Sequence, residues 1–140
     1  MPERAAPDEI REILRQAKTI AVLGASSKTK RPGHYVPRYL DDAGYEIIPV
    51  NPEISGQTLF GNTALDRLAE IQVPVDVVDV FRRSSHLPGH LDDILAMDPL
   101  PKVVWFQQGI RNDAVAATLI EAGIDVVQDR CMLADHQRLL

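Results

Sequence analysis

AVLGASSKTKRPGHYVPRYL, residues 21–40, is the stretch on which the fold turns. With Thr19 and Ile20 ahead of it, TIAVLG (19–24) reads as a buried strand running into Gly24. HYVPRYLDDAG (34–44) reads as a helix closed by Gly44, with Pro37 tolerated in its first turn. A strand that turns at a glycine toward a helix is the opening of a nucleotide-binding βα unit. The dinucleotide fingerprint G-x-G-x-x-G nevertheless fails: Ser26 holds the place of its second glycine, Thr29 that of its third, and the next glycine is Gly33. Lys28, Lys30, Arg31 and Arg38 crowd the segment instead. No acid stands between Glu12 and Asp41, an interval that also holds Arg15 and Lys18. In a chain of net charge −5, one basic stretch beside a βα turn suits a small polyanion, or else a solvated basic surface.

Outward from this unit, apolar runs and helical patterns alternate. DEIREILRQA (8–17) spaces Ile10, Ile13, Leu14 and Ala17 as one helix face, with Asp8 as N-cap. YEIIPVNP (45–52) is a second strand, stopped by Pro52. SGQTLFGNT is a loop with a short extended piece, and TALDRLAEI (63–71) a short helix capped by Thr63. VDVVDVF (75–81) is the third strand. SSHLPGHLDDILAM (84–97) turns into a helix that starts near Pro88, and KVVWFQ (102–107) is the fourth strand. NDAVAATLIEAG (112–123) is a helix capped at Asn112, IDVVQD (124–129) a fifth strand, and the tail from Met132 a last helical turn. Strands and helices alternating at this spacing predict parallel βαβ units. IAVL, VDVVDV and KVVWF are apolar on both faces or nearly so, as strands covered on both sides require. The expectation is a Rossmann-like doubly wound α/β fold: a five-stranded parallel sheet with helices on both faces. One domain spans residues 1–140, with an N-terminal helix (1–17) packed on it.

Ligands of such sheets bind beyond the carboxyl ends of the strands. That rule selects GASSKTKRPG, VNPE, FRRSS, FQQGIR and QDRCM. Gly24 lets a phosphate approach the backbone, while Ser26, Ser27, nearby N–H groups and the following helix N-terminus offer donors. Lys28, Lys30 and Arg31 offer charge, Arg31 as a two-pronged donor. Asn51 stands where a nicotinamide site carries Asp or Glu on the ribose, which makes NAD a poor fit and leaves NADP or another phosphorylated adenosine. Phe81, Arg82 and Arg83 end the third strand, where an arginine contacts phosphate or purine and Phe81 faces the base or fills core. Gln107 and Gln108, before Gly109, supply uncharged donors and acceptors. Trp105 belongs in the core. Cys131 either faces the crevice, with Arg130 beside it to favour the thiolate, or is a small buried side chain.

The composition bounds the rest. At 140 residues, with 45% apolar and 25% charged residues, the chain is one ordinary globular unit. No apolar run approaches a membrane span, and the N-terminus lacks the apolar core of a signal peptide. A single cysteine rules out an internal disulfide and fits a reducing, cytoplasmic setting. Net acidity argues against nucleic acid as partner. His34, His86, His90 and His136 form no metal-binding spacing, and neither a nucleophile elbow nor a P-loop occurs.

AVLGASSKTKRPGHYV, IIPVNP, VDVVDVFRR, KVVWFQQGIRND and VVQDRCM resemble, in order, the small stand-alone CoA-binding proteins, relatives of the N-terminal domain of the succinyl-CoA synthetase alpha subunit. The resemblance runs over residues 15 to 135 and implies coenzyme A as ligand along the carboxyl edge of the sheet. It implies that Gly24, Ala25, Ser26, Ser27, Lys28, Arg31, Pro32 and Gly33 hold the phosphates. Val50, Asn51, Pro52, Phe81 and Arg82 then flank the adenosine, and Gln107, Gln108 and Gly109 lie toward the pantetheine arm. A ligand with a 3′-phosphate as well as a diphosphate suits an acid-free loop rich in Lys and Arg. The phosphate-carrying histidine of the synthetases lies in a second domain, and none of the four histidines here matches it. The expectation is therefore a binding protein for CoA or an acyl-CoA, a sensor or accessory module without a complete catalytic apparatus, with a protein partner left open. The alternative is an enzyme acting on an acyl-CoA or NADP-type substrate, with Cys131 or the Gln107–Gln108 pair at the reacting end.

Overall fold

A computed structural model describes residues 3–140, so residues 1 and 2 of the expected N-terminal element lie outside the described residues. Five parallel strands form the sheet: β1 (Thr19–Leu23), β2 (Glu46–Val50), β5 (Val77–Val80), β6 (Val103–Phe106) and β7 (Asp125–Val127), in the order β2-β1-β5-β6-β7. Two short strands, β3 (Thr58–Leu59) and β4 (Asn62–Thr63), make a separate hairpin. The chain reverses direction across the sheet between β1 and β5, so the two loops that follow these strands diverge and leave a crevice.

Both faces of the sheet are covered, as the unbroken apolar runs demand. Ile20, Val22, Ile47, Val77 and Trp105 pack under α1 (Pro7–Gln16), α2 (Pro32–Asp42) and α5 (Met132–Leu139). Ala21, Leu23, Val78, Val80, Val104 and Phe106 face α3 (Leu91–Leu95) and α4 (Asp113–Glu121). Neighbouring residues of one strand thus serve opposite cores. The α/β Rossmann-like architecture expected from the sequence is the one observed.

Several local expectations are corrected. Helix α1 starts with Pro7 at its first position and Ala6 as N-cap; Asp8 lies inside the first turn, and Glu9 accepts the Ala6 N–H at 3.2 Å. Residues 63–71 do not form an α-helix. Leu65 is drawn into extended pairing beside β2, donating to Pro49 O at 3.0 Å and accepting from Asn51 N–H at 2.8 Å. Only Leu68–Glu70 coil, as a 3₁₀ turn whose Leu68 and Ala69 N–H groups the distant Asp93 carboxylate accepts at 2.8 and 2.9 Å. The helix expected from about Pro88 is split, a 3₁₀ stretch over Ser84–His90 followed by α3. The tail is an eight-residue helix rather than a turn: Met132 is fully buried and Asp135 holds Arg130 and Arg138. No helix of the described residues is long and apolar enough to cross a membrane.

Helix α2 begins two residues earlier than its periodicity suggests, which puts Pro37 in its interior. Proline has no N–H for the carbonyl four residues back, that of Gly33. That carbonyl is not stranded: it accepts the Ser26 N–H at 3.1 Å, and the segment between closes into a loop.

Candidate functional site

The crevice above β1 and β5 opens into a cleft of about 880 Å³ along the carboxyl edge of the sheet, within the range of small-molecule and cofactor sites. Its floor depends on two glycines. Gly24, at φ +90°, lies so close to the Phe81 carbonyl that a Cβ would come within 2.6 Å of it; a Cβ on Gly33 would come within 2.8 Å of Gly24 O. Gly33 therefore does what the third fingerprint glycine does elsewhere, letting helix and turn approach, but from the far end of a longer loop.

The loop is braced from below. Asn51, buried at the end of β2, donates from Nδ2 to Ala25 O at 2.9 Å and accepts the Glu53 N–H at 2.9 Å. The Nδ1 of buried His34 lies 2.7 Å from Ser26 O, and its ring packs on Phe60, which sits at φ 54° in the β3–β4 turn. Ser26 Oγ accepts the Lys28 N–H at 3.0 Å. The Ser26 N–H, a candidate ligand donor in the sequence, is thus spent on Gly33 O, and Pro32 at the first position of α2 has none to give. Ser27, the Ser26 hydroxyl and the cationic side chains remain as the donors of this rim.

Thirteen of the sixteen residues singled out from the sequence line the cleft: Gly24, Ser26, Ser27, Lys28, Arg31, Pro32, Gly33, Asn51, Phe81, Arg82, Gln107, Gln108 and Gly109. Ala25 and Val50 are fully buried beneath it, and Pro52 is exposed outside it. Lys30 is exposed beyond the rim, and Arg38 turns away to Asp42 at 3.7 Å. Arg83 and Cys131 join the lining, as do Tyr35, Ile54, Gln57 and Ile110, whose side chains carried no readable sequence signal. Lys28, Arg31, Arg82 and Arg83 face a single acid, Glu53, and none of the four forms an ion pair among the described residues. Arg82 Nε is buried with no hydrogen-bond partner there, 3.3 Å from where a Gly24 Cβ would sit. Behind it, His90 is held below its ordinary pKa by burial and then by the positive charge of Arg82.

At the other end of the cleft, Gly109 at φ +85° donates its N–H to Asp129 Oδ1 at 2.6 Å, which fixes the Gln107–Gly109 turn. Trp105 is fully buried, as expected, and donates from Nε1 to Arg130 O at 2.8 Å. The Arg130 guanidinium does not serve Cys131. It makes two bonds to Asp135, at 2.7 and 2.9 Å, and that pairing raises its own pKa. No group of three or more His, Cys, Asp or Glu side chains is arranged to hold a metal among the described residues.

One polar residue beneath the site had not been singled out. Asp79 sits in β5 between Val22 and Trp105, 0% exposed, with neither carboxylate oxygen bonded among the described residues. Burial raises its pKa well above the ordinary carboxylate value. An acid inside a strand covered on both faces was its one sequence signal.

The sequence model of the CoA binding domain family matches residues 18–137. The protein YneT of Bacillus subtilis (strain 168) is 44% identical over 128 residues, covering 91% of this chain and 92% of its own. A structure from Thermus thermophilus is 49% identical with a TM-score of 0.92, over 97% of this chain and 100% of that one. A hypothetical protein from Pyrococcus horikoshii OT3 is 34% identical with a TM-score of 0.88, over 96% and 92%.

Proposed function

Because the chain belongs to the CoA binding domain family, we propose that its cleft holds coenzyme A or an acyl-CoA. In this reading it is one folding unit with its N-terminal helix packed on it, working in the cytoplasm as a CoA-responsive sensor or accessory module without a complete catalytic apparatus. The observation that carries the reading is the charge of the cleft: four cations with no ion pair among the described residues against one acid, in a chain of net charge −5. CoA brings a diphosphate and a 3′-phosphate, and charge-assisted bonds from arginine are the strong ones. The Gly24–Gly33 loop takes phosphate, Asn51, Phe81 and Arg82 flank the adenosine, and Gln107, Gln108 and Gly109 meet the pantetheine arm. Val50, buried beneath the cleft, and Pro52, outside it, drop from the expected set. Asn51, uncharged and spent on Ala25 O, puts no carboxylate where a phosphorylated ribose would be repelled.

Calorimetric titration with CoA, 3′-dephospho-CoA, NAD and NADP tests this. CoA is expected to bind at micromolar concentration or below, and loss of the 3′-phosphate or Arg31→Ala to weaken it about 10- to 100-fold, the worth of one charged hydrogen bond. Affinity indifferent to both changes refutes the site assignment. A preference for NADP refutes the ligand.

A further inference from the structure

Simple binding leaves one reactive group of the cleft unused. Cys131 is the N-cap residue of α5, partly exposed and not in a disulfide, and it lines the same cleft as Ser27 and Arg31. Its neighbours Arg130 and Met132 donate their N–H groups to Phe106 O at 3.3 Å and Gln107 Oε1 at 3.1 Å, so Cys131 stands beyond the end of β6, across β1 and β5 from Asn51 at the end of β2. A second observation marks this end as a ligand seat. Gln107 is only 5% exposed yet forms part of the cleft wall. Its Oε1 accepts the Met132 N–H at 3.1 Å, and its Nε2 has no partner among the described residues. That leaves Nε2 as a donor open to the cleft, free for an acceptor on a ligand. The amide carbonyls of a pantetheine arm are such acceptors. With the nucleotide over β2, β1 and β5, that arm runs toward the end of β6, where Gln107 and Cys131 stand together.

We propose that Cys131 is a thiol–disulfide exchange site for the ligand's own sulfur, with a CoA disulfide as the co-reactant; this rests on the CoA reading above. The Cys131 thiolate attacks one sulfur of the bound disulfide. A new S–S bond joins Cys131 to one CoA as the old one breaks, and the departing CoA leaves as a thiolate that takes up a proton. Cys131 is oxidised and half of the CoA disulfide is reduced, so electrons balance without a further oxidant. A thiol reductant reverses the step. Since Arg130 is committed to Asp135, the advantage of the site is proximity. An effective concentration on the order of 1 mM, against about 10 μM disulfide in solution, gives roughly a 100-fold acceleration. The cleft then holds CoA covalently under oxidising conditions and returns it under reducing ones.

The test incubates the pre-reduced full chain with CoA disulfide or, at equal concentration, with pantethine, which has the same disulfide and arms but no nucleotide. Intact mass spectrometry reads the adduct and peptide mapping its position. The expected result is one CoA on Cys131, formed about 100 times faster than the pantethine adduct, removed by dithiothreitol and absent from Cys131→Ser. Equal rates from the two disulfides, or no adduct, overturn the proposal. Titration of the wild-type chain with reduced CoA under reductant is read alongside. Binding without an adduct refutes exchange alone, whereas absence of both refutes the CoA reading beneath it.

Discussion

Replacing Asp79 by asparagine gives a perturbation whose size the structure sets. The side chain is fully buried on the central strand, and both oxygens lack partners among the described residues. Burial disfavours the charged form and holds the pKa well above 3.8. As pH rises past about 4, unfolded chains release this proton while folded ones keep it. The unfolded state then binds fewer protons than the native state, and stability falls by about 1.4 kcal/mol for each pH unit until the folded carboxyl itself ionises. The contribution is fully present below pH 4 and declines above it. Asparagine has nearly the same shape and does not ionise in either state, so comparing the two proteins cancels every other titration. Between pH 4.5 and 6.0 the stability of Asp79→Asn relative to wild type is expected to improve by up to about 2 kcal/mol, about 1.4 kcal/mol for each pH unit over which the folded carboxyl stays protonated. Urea unfolding at the two pH values, followed by the fluorescence of the adjacent Trp105 and by circular dichroism, measures it. A difference between the proteins that stays constant with pH means that the folded carboxyl ionises normally, and refutes the reasoning.

Gly24→Ala is expected to cost about 3 kcal/mol or more and to abolish CoA binding, because strain at φ +90° combines with a Cβ 2.6 Å from the Phe81 carbonyl. Gly44→Ala, at φ +106° with open space around it, is expected to cost about 1 kcal/mol and spare binding, so equal losses in thermal unfolding and titration would contradict the close-approach argument. Asn51→Asp turns a donor toward Ala25 O into a repelling carboxylate and should lower stability by about 2 kcal/mol and CoA affinity with it. Retained affinity in calorimetry would show that the loop does not depend on this anchor. Asn112→Ala removes the cap bond to Val115 N–H at 3.0 Å and should cost about 1 kcal/mol in urea unfolding while leaving CoA affinity alone.

The sheet was legible because its strands are buried on both faces: continuous apolar runs such as IAVL and KVVWF have few other homes. The place of the cleft followed from Gly24 and the rule that ligands sit beyond strand ends. What escaped depends on contacts distant in sequence. Residues 63–71 carry a helical pattern, but Pro49 and Asn51 claim the backbone of Leu65, and Asp93 caps Leu68 from 25 positions away. The basic loop was read as a row of donors, yet Ser26 N–H is consumed by Gly33 O, because Pro37 frees that carbonyl. Arg130 was placed beside Cys131 by adjacency alone, and its true partner, Asp135, lies one turn into a helix expected to be only a last turn. Pro7, at the first position of α1, was a start signal stronger than the Asp8 beside it.

Pro37 has a consequence for anyone who would move this loop to another scaffold. The portable unit does not end at Gly33, where the last glycine stands, but four residues on, in the helix. A graft that stopped short would give an ordinary residue at that position, whose own amide hydrogen would compete with that of Ser26 for the Gly33 carbonyl. The helix would gain a bond and the loop would lose its clasp. Here a helix defect is the latch of a loop, and the two can be inherited only together.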